Sequence, residues 1–514
     1  MHTTTIKDIY AGMPDAKDEI NTDYPDKFFE SFIVPPGLQT DKLLSGQKFL
    51  VAGYKGVGKT SVLYYLQNLA QKNDESSCTS FMYFKSDFEE IRKSQMDAIA
   101  KKLTSLVDTS GEIQPQKVEY LHIWKWVIFK KIVDDCAENS LGLFEADDNW
   151  YSFAKLVNSI SFTYKEKHVI SLSSLAITAS ASTSEGAKLE TRAEFGIKNS
   201  SSNFEKFANT VDECETLFSK LKKTDTPYYI FVDEIEAFYG DRELFLRDLK
   251  LIRDLVFIIH KINVTGKLKI IAAIRSEIIN AMDRFIPTNE INKIIDGYSV
   301  PIMWSYSNTT SINHPIIKVL MKRISMATPG IEQDFYDWFP DLVHGKDTIN
   351  YILDNGWNKP RDIVRLITAA QNDSLHCDST RFSVASFDSL MKEYSRNSLT
   401  EVRQELQSLY STTEIEIILR TIRGGPRCMT LQSIIKRTHK GSKAREIWET
   451  RGEDIIEDFY RVGIFGNINR QINPNEYKWR WNHKADTGVL TDNGWELIVH
   501  NALCSELSIS HALV

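Results

Sequence analysis

With 514 residues and roughly 150 residues to a domain, the chain is too long for one core and has room for about three domains. Hydrophobic residues at 42% and charged residues at 25% exclude a wholly disordered or collagen-like chain. The formal net charge of −7 excludes a sequence-wide electrostatic grip on nucleic acid, so any such contact must be a local patch. Cys78, Cys136, Cys214, Cys377, Cys428 and Cys504 are scattered, with no CxxC pair and no zinc-like spacing to His. They read as buried thiols in a reducing compartment. No run approaches the roughly 18 apolar residues of a spanning helix. The N-terminal stretch MHTTTIKDIYAGMPDAKDEI lacks the apolar core of a signal peptide. The expectation is a soluble, cytoplasmic protein with no membrane partner.

Residues 1–47 read as an N-terminal extension in which FFESFIVPPGL is extended, because Pro35 and Pro36 remove donors and disfavour helix before them. From Lys48 the pattern is strand, glycine loop, helix: KFLVAG, YKGVGKT, SVLYYLQNLAQ. A strand SFMYFKS follows at 80–86, then helical stretches over 87–161. Residues 165–200 turn Ser/Thr-rich, with alternation around Gly186, and read as an inserted β-hairpin. The readings are an exposed elaboration, a docking or oligomerisation arm, or a pore-forming hairpin, the last with the least support because neither face is consistently apolar. A helix at 203–223, the strand YYIFVDE, a helix at 240–262, the strand KLKIIAAIRSE and a strand YSVPIMW at 298–304 complete an α/β unit over 48–310. Strands this apolar suit a mainly parallel sheet covered on both faces. Residues 311–400 read as purely helical. From 401 to 514, three helices (TEIEIILRTI, TLQSIIKRT, REIWETRGEDIIEDFYRVG) precede a strand pair, IFGNINR and EYKWRWN. That order suggests a winged helix.

Gly53 to Thr60, GYKGVGKT, satisfies G-x-x-x-x-G-K-[ST] after an apolar strand and before a helix. The binding residues are Gly53, Tyr54, Lys55, Gly56, Val57, Gly58, Lys59, Thr60 and Ser61. Glycines let the loop turn its N–H groups inward, and the helix N-terminus adds its positive end to a phosphate cradle. Lys59 would reach the β- and γ-phosphates of ATP, and Thr60 would ligate Mg²⁺. The strand at 228–232 ends in Asp233-Glu234, a pair suited to hold the magnesium shell and to activate water. Asp233 is assigned to the metal and Glu234 to the catalytic base, with Glu236 expected to face solvent.

P-loop, inserted helices, hhhhDE, a further strand ending in a polar or basic residue and a helical lid together resemble the AAA+ and STAND ATPases. The nearer likeness is to origin-recognition-type initiators and their bacterial P-loop relatives, in which a winged helix follows the core. The resemblance implies a γ-phosphate sensor at Arg275 and Ser276, the arginine being the STAND variant, against a plain sheet-edge or carboxylate-paired arginine. It also implies a lid motif at Gly356-Trp357-Asn358-Lys359-Pro360-Arg361, with Pro360 near the adenine and Arg361 as second sensor. The alternatives are an ordinary proline-initiated helix, or Arg365 in that sensor role. Arg284 stands where a finger arginine acting in trans would be, against a surface arginine. A homo-oligomer is implied.

Residues 401–514 carry 15 Lys/Arg and 15 Asp/Glu, and the third helix holds Glu446, Glu449, Glu453, Asp454, Glu457 and Asp458. A basic cluster, Lys436, Arg437, Lys440, Lys443 and Arg445, with Lys478 and Arg480 in the wing, could hold a DNA backbone. Trp479 and Trp481, of one parity on a strand, are expected to pack on the helices. The function expected is an ATP-binding and hydrolysing AAA+/STAND-like regulatory switch acting on a protein effector, with a bacterial anti-phage-defence setting implied by the resemblance. The alternatives are an ATP-controlled DNA binder of initiator type and a nucleotide-stabilised oligomeric scaffold with little turnover.

Overall fold

The N-terminal segment is helical where its prolines suggested extended chain. A 3-10 turn over Ile6–Asp8 is followed by α1 (Ala16–Ile20) and α2 (Pro25–Ser31), so FFES lies in a helix, and the chain leaves it at Phe32 and turns at Pro36 and Gly37. Pro25 takes the first helical position, where its missing N–H costs nothing, while Pro35 constrains only the residue just before it. The computed structural model describes every residue except 1–3, 23–24, 108–118, 139–141, 161–200, 239–240, 287–288, 306–311, 408, 474–475, 485, 487, 493 and 511–514. The hairpin expected at 165–200 lies outside the described residues. The chain divides into two units, one made of residues 1–38, 53–62 and 301–514, the other of 39–52 and 63–300.

The unit of 39–52 and 63–300 is built on a parallel sheet. In chain order its elements are α3 (Thr40–Leu44), β1 (Leu50–Gly53), α4 (Lys59–Asn73), β2 (Cys78–Tyr83), α5 (Glu90–Val107), α6 (Leu121–Glu138), α7 (Asp148–Ser159) and α8 (Ser201–Lys220). After these come β3 (Tyr228–Ile235), α9 (Arg242–Val264), β4 (Lys269–Arg275), α10 (Ser276–Phe285), α11 (Asn289–Tyr298) and β5 (Ser299–Pro301). Strand order is β2-β3-β4-β1-β5. β3 runs parallel to β2, Phe231 facing Phe81, and to β4, Phe231 facing Ile271. Ile230 to Val232 and Ile270 to Ile274 are buried, which fits strands covered by helices on both faces. Each crossover helix offers an apolar stripe to the sheet: Leu249, Ile252, Leu255, Val256 and Ile259 of α9 are all buried.

The other unit continues with α12 (Pro315–Ala327), α13 (Phe335–Trp338), β6 (Leu342–Val343), β7 (Lys346–Asp347), α14 (Thr348–Asn355), α15 (Pro360–Asn372) and α16 (Val384–Leu406). The stretch expected to be purely helical thus contains a two-stranded ribbon, with Val343 facing Lys346 across His344 (φ 51°) and Gly345 (φ 76°). Two consecutive positive φ values suit a tight hairpin. Next come α17 (Thr412–Ile422), β8 (Cys428–Met429), α18 (Leu431–Lys436), α19 (Lys443–Arg461), β9 (Phe465–Asn473), β10 (Glu476–Arg480), a 3-10 turn at Asn482–Lys484, β11 (Trp495–Val499) and α20 (Asn501–Cys504). The expected strand pair β9 and β10 is part of a four-stranded sheet, β10-β9-β11-β8.

Trp481 is buried over Gly466, where a Cβ would come within 2.5 Å of its ring. Trp479, also expected to pack inward, is 40% exposed beside Tyr477 on the edge strand. The strand ends at Arg480, so the shared parity does not carry the two tryptophans to one face. The cysteines are all free and, apart from half-buried Cys136, buried. Among the described residues no helix is long and apolar enough to cross a membrane.

Candidate functional site

The glycine loop follows β1 directly. Gly56 and Gly58 take φ 84° and 90°, a region open to glycine at little cost. Among the described residues no backbone carbonyl accepts from the N–H of Gly56, Val57 or Gly58. A Cβ on Gly53 would stand 2.7 Å from the Val57 side chain, so the loop closes on itself. Lys59 opens α4 and donates Nζ to the carbonyls of Gly53 (2.8 Å) and Tyr54 (2.9 Å). Thr60 and Ser61 follow in the first helical turn. The Val57 carbonyl accepts from Trp304 Nε1 (2.9 Å), the Tyr54 hydroxyl from Asn482 Nδ2 (3.0 Å), and Lys55 donates to Gln404 (2.6 Å).

The loop lies against the start of α15. A Cβ on Gly56 would be 3.3 Å from Arg361 Cβ and 3.5 Å from Lys359 Cδ. Pro360 takes the first helical position. The turn ahead of it is held by the buried carboxylate of Asp362, which accepts from Trp357 N (2.8 Å) and Lys359 N (3.0 Å), with Asn358 at φ 54°. Arg361 donates Nη1 to Glu401 (2.8 Å), and Arg365 donates to the other oxygen (2.5 Å). Burial alone would raise the Glu401 carboxyl, but Arg365, Lys359 and Arg361 outweigh it and hold it down at about 2. Both sensor candidates therefore converge on one carboxylate.

The acidic strand end belongs to the other unit. Asp233 is 5% exposed and pairs in register with Tyr83. Between Val232 and Ile235 the β3–β4 register shifts, and Glu234 sits in this irregularity at φ 55°. A carboxylate residue held in the left-handed region without being glycine is a strained position of the kind found at functional sites. Its Oε2 accepts from Ser86 N (3.0 Å) and from the Ser86 hydroxyl. Burial, then the hydrogen bond to Tyr64 (2.9 Å) and the charges of Asp233 and Glu234, push the Tyr83 phenol well up. It stays protonated beside the two carboxylates.

Glu236 does not face solvent as expected. It is ion-paired to Arg275, and Lys85 lies 3.7 Å away. Immediately past the end of β3, its carboxylate meets the end of β4, where Arg275 precedes α10. The arginine read as a phosphate sensor thus has a carboxylate partner in its own unit. Arg284, near the end of α10, stacks over Phe285 (5.4 Å).

Sequence reasoning missed Glu401, Gln404, Ser86, Trp304 and Asn482. Only Glu401 and Glu405 left a trace, as an i, i+4 acidic pair, and in sequence such a pair is indistinguishable from a solvated face. Among the described residues no group of three or more His, Cys, Asp or Glu could hold a metal.

Residues 315–403, from the start of α12 into α16, match the family described as FunZ-associated C-terminal helical domain. No curated protein matches the chain.

Proposed function

We propose that the chain is an ATP-binding and hydrolysing regulatory switch of AAA+/STAND type that acts on a protein partner in a bacterial defence setting. The observation that carries this is the loop itself: two positive-φ glycines, N–H groups of Gly56 to Gly58 that no described backbone carbonyl accepts from, and Lys59 folded onto its own loop carbonyls at a helix N-terminus. A triphosphate offers Lys59 stronger, charged acceptors than those carbonyls. Thr60 and Asp233 are the candidate ligands of a Mg²⁺ ion, which would supply charge neutralisation on the phosphates. Glu234 orients and deprotonates the attacking water. Arg361 reports phosphate to the helical segment matched as FunZ-associated, and a domain described by its association supports a role beside a partner.

The order α17, β8, α18, α19, β9, β10 supports a winged helix after the lid. For that module a protein partner is favoured over DNA, because α19 exposes Glu446, Glu449, Glu453, Asp454 and Glu457, which would repel phosphate. Tyr477, Lys478 and Trp479, exposed on β10, are what favours the initiator-type alternative. A steep loss of duplex binding with salt in the presence of ATP would establish that alternative.

The test of the switch is paired. Lys59→Ala should abolish binding of a fluorescent ATP analogue while leaving the circular dichroism melt unchanged. Glu234→Gln should bind ATP and lose roughly 10²-fold or more in turnover. Retained affinity in the first variant sinks the phosphate site. Unchanged turnover in the second leaves the nucleotide-bound scaffold.

A further inference from the structure

Residues 6–14 are fastened lengthwise along α15. Ile6 and Lys7 donate their N–H groups to the carbonyls of Ser379 (2.9 Å) and Cys377 (3.1 Å). Gln371, near the C-terminal end of α15, donates to the carbonyls of Ile6 (3.2 Å), Lys7 (3.1 Å) and Ile9 (2.7 Å). Arg323 of α12 donates to the carbonyls of Tyr10 (3.4 Å) and Ala11 and lies over the Tyr10 ring. Gly12, at φ 70°, leaves room for that guanidinium, which a Cβ would strike. Buried Glu19 then accepts from the Tyr10 hydroxyl (2.5 Å) and from Met13 N (3.0 Å).

At the other end of α15 the strap reaches Arg361. This guanidinium donates Nε (3.2 Å) and Nη2 (3.1 Å) to the Pro14 carbonyl and Nη1 to Glu401. Three of its nitrogens are thus committed to a backbone carbonyl and a carboxylate, while its Cβ lies over Gly56 of the phosphate loop. A phosphate group takes a guanidinium through the same paired N–H bonds as a carboxylate does. The two acceptors cannot both hold the same donors.

We propose that Glu401 and the Pro14 carbonyl form a latch on Arg361 that competes with nucleotide phosphate, so that the N-terminal strap and ATP bind in opposition. Glu401 is here a positioning residue, acting through Arg361 and Arg365, and the latch rests on the ATP-site reading above. Coupling of this kind is reciprocal: whatever ATP does to the strap, the strap does to ATP.

Two variants weaken the latch from different sides. Glu401→Gln removes the charge that holds both arginines, and Gly12→Val dislodges the strap at Arg323 without touching the lid arginines. Each should bind a fluorescent ATP analogue about five-fold or more tighter than wild type. In the wild type, ATP should speed backbone hydrogen exchange across residues 6–14, and in Lys59→Ala it should not. Unchanged or weaker nucleotide binding in a variant with a wild-type melt overturns the latch, as does exchange that ATP leaves unaltered. Should Glu401→Gln fail to fold, Gly12→Val decides alone. Failure of the site itself reads differently, as equal, negligible ATP binding in the wild type and Lys59→Ala.

Discussion

Gly56 meets two requirements at once, a left-handed backbone (φ 84°) and a close approach to Arg361 (3.3 Å from the absent Cβ). Any L side chain there adds about 1–2 kcal/mol of backbone strain and pushes on the first turn of α15. Gly56→Ala should therefore lower the melting temperature and weaken nucleotide binding together, whereas Lys59→Ala should do only the second. Parallel melts and titrations of the two variants separate these effects. The turn of the loop was legible because its signal lies in consecutive positions: a fixed glycine spacing followed by Lys59 and Thr60. Glu401 was not, because its role comes from Arg361 and Arg365, which lie on another helix and meet it only after folding. Glu236 misled for the opposite reason, since a carboxylate just past a strand end looks solvated until Arg275 closes on it.

At the scale of elements, the turn into α15 is organised by one carboxylate. Burial, opposed by Lys359 and Arg365, raises the Asp362 carboxyl above its usual range, yet its oxygen satisfies the N–H groups of Trp357 and Lys359. Asp362→Ala leaves two donors without an acceptor and should destabilise by about 1–3 kcal/mol in chemical denaturation. A loss below the reproducibility of the measurement would mean that water replaces the carboxylate. Long periodic helices such as α9 and apolar strands such as β3 were readable from their spacing alone. The exceptions were short. The ribbon β6–β7 is four residues of strand whose only local signal is His344-Gly345, and α2 was masked by prolines that constrain fewer residues than expected. The extra strands β8 and β11 pair across more than sixty positions, Ile498 with Cys428, so neither announces its partner locally.

For the molecule as a whole, pH is a lever because the unit that contains α12 to α20 caps helices with neutral histidines. His314 Nδ1 accepts from Ile316 N, and His500 Nδ1 from Ala502 N, each at 3.2 Å. A protonated ring could not accept, and its charge would face the positive end of the helix. Burial, with Lys484 nearby, takes His314 down to about 4. Burial takes His500 down to about 3, Asp354 opposing and Lys484, Arg427 and Lys359 adding to the shift. His483 is also held well below its ordinary value by burial and by its neighbours His500, Lys484 and Lys359. Below pH 6.5 the unfolded chain therefore binds more protons than the folded one, and stability falls as pH drops, by up to about 1.4 kcal/mol per pH unit for each histidine. His500→Asn, which can cap without titrating, should cut the stability difference between pH 7.5 and 5.5 by about 1.4 kcal/mol. An undiminished difference would assign the acid loss to other groups. One unit is assembled from distant pieces, residues 1–38 and 53–62 with 301–514, and linear patterns carry no record of which segments close on each other.

The strap that runs along α15 also fixes an order of events during synthesis. Lys7 leaves the ribosome well before Gln371, which holds its carbonyl and lies 364 positions downstream. At roughly 5–20 residues per second, the strap waits some tens of seconds for its partner helix. Meanwhile the parallel sheet, complete by β5, is free to form. The strap residues are thus made long before they find their place.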